Sequence, residues 1–294
     1  MNRASPKDHA FNDALSRYQD LLENLRAHAK HGDGLVIAYS GGVDSAFLLA
    51  ASVEALSDFP KLTVTALTAI SASYPEWERQ PARDLAQELG VQHLELETAE
   101  LQNPKYRANA GDRCFHCKSA LFDVAEWARP LAQYQLKGTL IYGAIVDDQG
   151  DHRPGMMAAQ ERGVMAPLIE ANLDKVSIRQ LSRFFGLPTW DKPASACLSS
   201  RFPYGIEVTS ERLEQVGICE SRLHSLGLKI VRARFHDSLV RLEFGATELE
   251  QVLVDPDLRT AIIQECKAVG FKFVSIDLEG YRSGSANEAL VVIQ

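Results

Sequence analysis

The stretch from Leu35 to Ala50, LVIAYSGGVDSAFLLA, changes period in its middle. Up to Tyr39 it is a continuous apolar run, the pattern of a strand buried in a sheet. From Asp44 onward the apolar residues follow helical spacing. Between the two stand only Ser40, Gly41, Gly42 and Val43, enough for a tight turn and little more. A strand that feeds directly into a helix is the first half of a βαβ unit, so this junction commits the region to layered α/β structure. Paired glycines supply the backbone freedom for the turn.

The alternation continues along the chain. Residues 11–30 carry Leu15, Tyr18, Leu21, Leu22 and Leu25 at helical spacing. KLTVTALTA reads as a second strand, PEWERQPARDLAQELG as a helix from near Pro75 to Gly90, and VQHLELE as a third strand. A loop holding Cys114 and Cys117 leads to the helix KSALFDVAEWAR and the strand TLIYGAI. The helix SIRQLSRFFG then precedes a long loop, LPTWDKPASACLSSRFPYG. Strands alternating with helices predict an α/β fold, a parallel sheet with helices on both faces.

Past Gly205 the order changes. A helix, TSERLEQVGICESRLHSLG, is followed by a hairpin of KIVRARF and LVRLEF around HDS. Then come a helix, PDLRTAIIQECKAVG, a strand, FKFVSIDLE, and a last strand, EALVVIQ. This is a smaller α+β unit. A chain of 294 residues accommodates two such domains, expected at 1–205 and 206–294. Trp77, Trp127 and Trp190 are expected in core or packing positions, and Cys219 and Cys266 as small buried hydrophobes.

Composition narrows the function classes. Hydrophobic residues at 46% provide a core, and a net charge of −8 argues against broad, sequence-independent nucleic-acid binding. The start, MNRASPKDHAFNDAL, lacks the apolar run of a signal peptide. No stretch approaches about 18 uninterrupted apolar residues. A soluble, cytoplasmic protein without a membrane partner is expected. Five cysteines, an odd number, favour thiolate or metal chemistry over a disulfide framework.

The Ser-Gly-Gly turn carries chemistry of its own. A helix start leaves backbone N–H groups without intrahelical acceptors, and the helix dipole adds positive potential there. Such a junction suits a phosphate. Gly41 and Gly42 permit close approach, and Ser40 and Ser45 add hydroxyl donors. The ATP-hydrolysing P-loop would end in Gly-Lys-Ser/Thr, and no lysine stands here. Asp44 takes that place; it cannot donate to phosphate but can bind Mg2+. A plain helix cap would account for Asp44 or Ser45 singly, but not for the whole hexad.

The cysteines give a second signal. Cys114-x-x-Cys117 and the distant Cys197 are three soft thiolate ligands, suited to an iron–sulfur cluster with one iron left open. Zinc would seek a fourth Cys or His, for which His116 is a candidate. The plain alternative is structural: two loop thiols and a small buried Cys197.

Ser-Gly-Gly-x-Asp-Ser after a strand resembles the pyrophosphatase loop of the ATP-pyrophosphatase superfamily. Those Rossmann-like enzymes cleave ATP between the α and β phosphates and adenylylate a substrate oxygen. The segments AYSGGVDSAFLL, RCFHCKSALF, the block from DHRPGMM to SSRFPYG, and VRARFHDSLVRLEF together resemble the LarE family over nearly the whole chain. LarE proteins are ATP-dependent sulfur transferases of nickel-pincer nucleotide biosynthesis. The resemblance implies adenylylation of a carboxylate of pyridinium biscarboxylate mononucleotide, displacement of AMP by sulfur, and a second round on the other carboxylate.

In one branch of that family a cysteine at the position of Cys197 gives up its own sulfur. In the other, three cysteines hold a 4Fe–4S cluster bearing an expendable sulfide, and Cys114 and Cys117 place this chain there. The resemblance also implies that Arg232 and Arg234 hold a phosphate, and that Glu220 and Asp44 serve the chemistry with Cys197. Arg201 and Arg153 become candidate substrate-phosphate contacts, and a homo-oligomer, hexameric in the family, is expected. One departure is YGAIVDDQ, where Ile145 replaces an Asn while Asp147 and Asp148 remain. The source of sulfide is left open.

Two rival functions share these features. A tRNA thiolase also joins the loop to three cysteines, but it needs a basic surface and often more than one CxxC. A non-catalytic ATP-sensing module would share the loop and release no pyrophosphate. Arg232 and Arg234 equally suit a solvated strand edge, and Glu220 an ordinary helix carboxylate.

Overall fold

Helix α1 (Pro6–Gly32) leads into strand β1 (Gly34–Ala38), which is buried at every position, as its unbroken apolar run requires. The computed structural model describes residues 6–150, 154–193, 196–282 and 284–285. From β1 the chain alternates through α2 (Val43–Leu56), β2 (Thr63–Ile70), α3 (Glu76–Glu88) and β3 (Gln92–Glu97). There follow the short α4 (Pro104–Arg107), α5 (Arg113–Ala128), β4 (Thr139–Tyr142), α6 (Pro154–Glu161), α7 (Pro167–Glu170) and α8 (Lys175–Phe184).

The four strands pair in parallel in the order β3-β2-β1-β4. Their side chains alternate across the sheet. Leu35 and Ile37 join apolar residues of α1, α2, α3 and α8 in one core, while Val36 and Ala38 join those of α5 and α6 in another. Helices thus cover both faces, as expected. The chain moves outward from β1 to β3 and returns to β4 on the other side of β1. The strand order therefore reverses between β1 and β4, and in such sheets ligands bind beyond the carboxyl ends of the strands at that reversal.

A second compact unit begins at Ala196 and also takes in Ala72–Trp77 and Ala99–Arg113 from within the first. The sequence reading set its division at residues 205 and 206, because these segments bring no change of period with them. In this unit α9 (Ser210–Ser225) precedes an antiparallel hairpin of β5 (Val231–His236) and β6 (Leu239–Phe244). Asp237, at a φ of 54°, makes the tight turn. Then α10 (Ala246–Val254), α11 (Pro256–Ala268) and β7 (Phe273–Ile276) follow, β7 lying parallel to β6. The sequence reading lacks α10, whose 9 residues are too few for a helical period to stand out. The expected last strand, 288–294, lies outside the described residues.

Cys219 and Cys266 are fully buried, their thiols 3.6 Å apart. Two tryptophans depart from a core position. Trp127 is 57% exposed and packs on Tyr134, and Trp190 is 37% exposed with the Arg183 guanidinium over its ring. Trp77 is half-buried against His224.

Candidate functional site

Beyond β1 the chain passes through Tyr39 and Ser40 to Gly41, whose φ of 71° lies in the left-handed region. Gly42 caps α2 in an extended conformation without a side-chain cap bond. A bare glycine cap leaves the first-turn N–H groups facing outward. Ser45 closes the turn from beneath: it donates to Gly42 O at 3.2 Å, accepts from Ser40 N at 3.2 Å and lies 3.1 Å from Ser40 Oγ. Past β4, Gly143 runs against the start of α2. A Cβ there would sit 3.1 Å from Ser45 N and 3.2 Å from the Asp44 carbonyl carbon, so a larger residue would push the helix away. The turn therefore occupies the strand-order reversal.

Asp44 is not alone. Lys175, the first residue of α8, places Nζ 2.6 Å from each of its carboxylate oxygens. Asp174 fixes where that lysine emerges, capping α8 by accepting from Ser177 N at 2.7 Å. Lys175 also donates its backbone N–H to Asp147 at 2.9 Å. Burial raises the Asp44 carboxyl above its ordinary range, Lys175 pulls it down, and the charge of Asp148 adds to the rise. The net rise means that Lys175 does not fully offset burial, so the carboxylate favours further positive charge. Two neighbouring carboxylates, Asp44 and Asp148, fit Mg2+, which commonly takes one or two carboxylates and completes its shell with phosphates and water. Ile145, the departure noted in the sequence, buries its side chain in the core.

A second lysine reaches the same turn. Lys192 donates to Gly41 O at 2.8 Å and pairs with Glu78. Arg179 of α8 in turn holds the carbonyls of Trp190 and Lys192, each at 2.7 Å. The sequence reading missed Lys175, Lys192, Glu78 and Arg179. Only the capping residue Asp174 gives a local cue, and it marks a helix start rather than a partner for Asp44.

In the second unit Cys197 precedes the 3₁₀ turn Leu198–Arg201 and is half-buried. Arg201 is 2% exposed and Glu220, on α9, 0%. They meet in a two-pronged pair, Nε to Oε1 and Nη2 to Oε2, both at 2.8 Å. The remaining Arg201 nitrogen donates to the carbonyls of Ala196 at 2.8 Å and Cys197 at 3.3 Å. Glu220 Oε1 also accepts from Ala233 N of β5 at 2.8 Å. Burial works to raise the Glu220 carboxyl, but Arg201 and then Arg232 hold it below its ordinary range. The inserted segments support this loop. Leu198 N donates to Ser73 O at 2.9 Å, Arg113 donates to Ser199 O at 2.8 Å, and the Tyr106 and Ser199 hydroxyls lie 2.6 Å apart.

Arg232 and Arg234 are buried, at 6% and 8% exposure, which excludes a solvated strand edge. Arg234 donates to Glu243 at 2.6 Å and to Ser200 O at 2.7 Å. Its Nε is a buried donor without a hydrogen-bond partner among the described residues. The Arg232 guanidinium lies 4.8 Å over the Tyr281 ring. Burial, and then the charge of Arg201, lower its pKa, while Glu220 works against them. Arg153 lies outside the described residues.

Cys114 and Cys117 stand near the start of α5 rather than in a loop. RCFHCK has no apolar period of its own, so its helical state was not legible. Three residues apart, the two share a helix face, with Cys114 exposed and Cys117 half-buried. Cys197 belongs to the other unit. Three thiols suit an iron–sulfur group chemically, but among the described residues no group of three or more Cys, His, Asp or Glu is gathered for a metal ion. No helix among the described residues is long and apolar enough to cross a membrane.

No protein-family model matches the chain. It is 42% identical over 269 residues to an uncharacterised protein of Synechocystis sp., covering 92% of this chain and 97% of that one. It is 32% identical over 270 residues to pyridinium-3,5-bisthiocarboxylic acid mononucleotide synthase of Lactiplantibacillus plantarum, covering 92% of this chain and 95% of that protein. An uncharacterised protein of Methanocaldococcus jannaschii is 27% identical over 270 residues, with 92% and 98% covered. Among solved structures, NMN synthetase from Francisella tularensis matches with a TM-score of 0.44 at 18% identity, over 87% of this chain and 94% of that one. That likeness is too loose to bear on the assignment.

Proposed function

The chain belongs to the LarE family, the pyridinium-3,5-bisthiocarboxylic acid mononucleotide synthases, and from that premise we propose that it is an ATP-dependent sulfur transferase converting the carboxylates of pyridinium-3,5-biscarboxylate mononucleotide to thiocarboxylates. The observation that carries this reading is the Ser40–Ser45 turn at the strand-order reversal, with the Asp44–Lys175 pair beside it. The triphosphate is taken by the start of α2, where outward N–H groups and the Ser40 and Ser45 hydroxyls receive its oxygens. Asp44 and Asp148 would hold Mg2+, which neutralises phosphate charge when bound.

A substrate carboxylate oxygen attacks the α-phosphorus, the bond to the β-phosphate oxygen breaks, and pyrophosphate leaves with its electron pair. The resulting acyl adenylate has AMP as its leaving group. A sulfur nucleophile adds to the acyl carbon and AMP departs, leaving a thiocarboxylate. Arg232 and Arg234 are assigned to the phosphate of the mononucleotide, supported by their burial and by the unpartnered Arg234 Nε. Glu220 has both oxygens engaged, so we assign it a positioning role through Arg201, which holds the main chain of Cys197.

Cys114, Cys117 and Cys197 are proposed as the ligands of a 4Fe–4S cluster that would supply an expendable sulfide. Their thiolate chemistry and the shared turn of the first two support the assignment. The homo-oligomeric state, hexameric in the family, belongs to the same proposal, as does the assignment of ATP to the first unit and substrate to the second.

Pyrophosphate release tests the reading directly. The anaerobically purified protein should release pyrophosphate from MgATP only when the pyridinium biscarboxylate mononucleotide is present. Asp44→Ala should abolish that release while its circular dichroism and melting stay those of the folded protein. Wild-type release by folded Asp44→Ala refutes the loop assignment. Release driven by tRNA instead of the mononucleotide would move the chain to the thiolase class.

A further inference from the structure

The bond between Gly41 and Gly42 joins two residues without Cβ atoms, so it is the peptide of the turn most easily turned over. Which way it faces matters. In a trans peptide the C=O and N–H point in opposite directions, and a flipped unit would present an oxygen to a phosphate instead of a donor. Lys192 holds this peptide in one state. Its Nζ lies 2.8 Å from Gly41 O, so the Gly42 N–H points to the opposite side. There it meets Ser40 Oγ at 3.4 Å, a long bond on the side of the two hydroxyls.

Lys192 is itself held. Glu78 pairs with its ammonium, and the two side chains are 19% and 12% exposed, so the charge on one offsets the burial of the other. Arg179 fixes the Lys192 main chain by its bonds to the carbonyls of Trp190 and Lys192. Lys175 differs in kind, since it pairs with the carboxylate of Asp44 and so acts on charge rather than on backbone geometry.

We infer that Lys192 is a positioning residue that sets the Gly41–Gly42 peptide to donate to the phosphates of the nucleotide. The inference rests on the reading of the turn as an ATP site and deepens it. Because Lys192 acts through the peptide, it governs nucleotide affinity and leaves the affinity for the pyridinium mononucleotide unchanged.

Titration calorimetry on the full chain, with a non-hydrolysable MgATP analogue and separately with the mononucleotide, tests this alongside thermal melting. Lys192→Met keeps the stem and removes the donor; it should weaken the ATP analogue about tenfold or more, the scale of a charge-assisted hydrogen bond. Lys192→Arg restores a donor and should return affinity to within about threefold of wild type. Wild-type affinity in a folded Lys192→Met overturns the inference. So does an equal loss for both ligands, or a loss that Lys192→Arg does not relieve, since either marks a general structural role. Should Lys192→Met fail to fold, Glu78→Gln, which loosens the same ammonium, must weaken the ATP analogue alone or the inference falls. A wild-type chain that binds no MgATP analogue overturns the ATP reading first, and this one with it.

Discussion

Arg201 and Glu220 are both withdrawn from solvent, and neither charge is stable there alone. Each offsets the other through two bonds at 2.8 Å. Removing one partner leaves an uncompensated buried charge, so Glu220→Ala and Arg201→Met should each cost about 3–5 kcal/mol, read from denaturant melts. The pH dependence follows from the direction of the shift. The folded Glu220 carboxyl lies below its ordinary value of 4.5, so its stabilisation is full above that value and is lost as pH falls through the lower folded one. Melting temperature followed from neutral pH into acid should therefore fall less steeply in Glu220→Gln than in the wild type. An unchanged acid slope would place the sensitivity in other carboxylates.

At the scale of elements, the turn between β1 and α2 works because β4 ends against it. Gly143 is the contact: a Cβ there would sit 3.1 Å from Ser45 N and 3.2 Å from the Asp44 carbonyl carbon, close enough that the start of α2 would have to give way by a fraction of an ångström. Gly143→Val should displace the start of α2, lowering stability by about 1–3 kcal/mol in denaturant melts as overpacking does. It should also weaken MgATP binding, since outward N–H groups and Asp44 move together. Intact MgATP affinity in a folded Gly143→Val would show that α2 accommodates the bulk without moving its first turn. The C-terminal elements make a similar point with charge: Arg232 and Arg234 lie on one face of β5, and the register sets Arg232 opposite Glu243 of β6.

At the scale of the whole molecule, five cysteines divide into two classes. Cys219 and Cys266 are enclosed, whereas Cys114, Cys117 and Cys197 are at least partly open to solvent. Iron and sulfide analysis after anaerobic purification separates them. Any one of Cys114→Ala, Cys117→Ala and Cys197→Ala should strip most of the iron, because two thiolates hold a cluster poorly. Cys219→Ser and Cys266→Ala should keep it and lose stability through packing alone. Intact mass after turnover gives the other outcome. A dehydroalanine at position 197, with full activity in a Cys114→Ala/Cys117→Ala double variant, would refute the cluster and make Cys197 the donor.

Much of the first unit was legible because its signals are local. The apolar run of β1, the paired glycines and the helical spacing of α2 all lie between Gly34 and Leu56, and each is dictated by its own backbone and burial. The same holds for the candidates Ser40, Asp44 and Ser45. What sequence could not supply was the partner of each charge. Lys175 stands 131 residues from Asp44 and Lys192 151 residues from Gly41, and no period or spacing links residues brought together only when α8 packs on α1 and α2. Glu220 was already a site candidate through the family resemblance, with an ordinary helix carboxylate as the alternative, but no local signal pairs it with Arg201, 19 residues away. Short-range sterics and hydrophobic period determined the elements and the loop; tertiary packing alone decided which ions meet, because a charge selects its partner by distance in space and by the water removed around it.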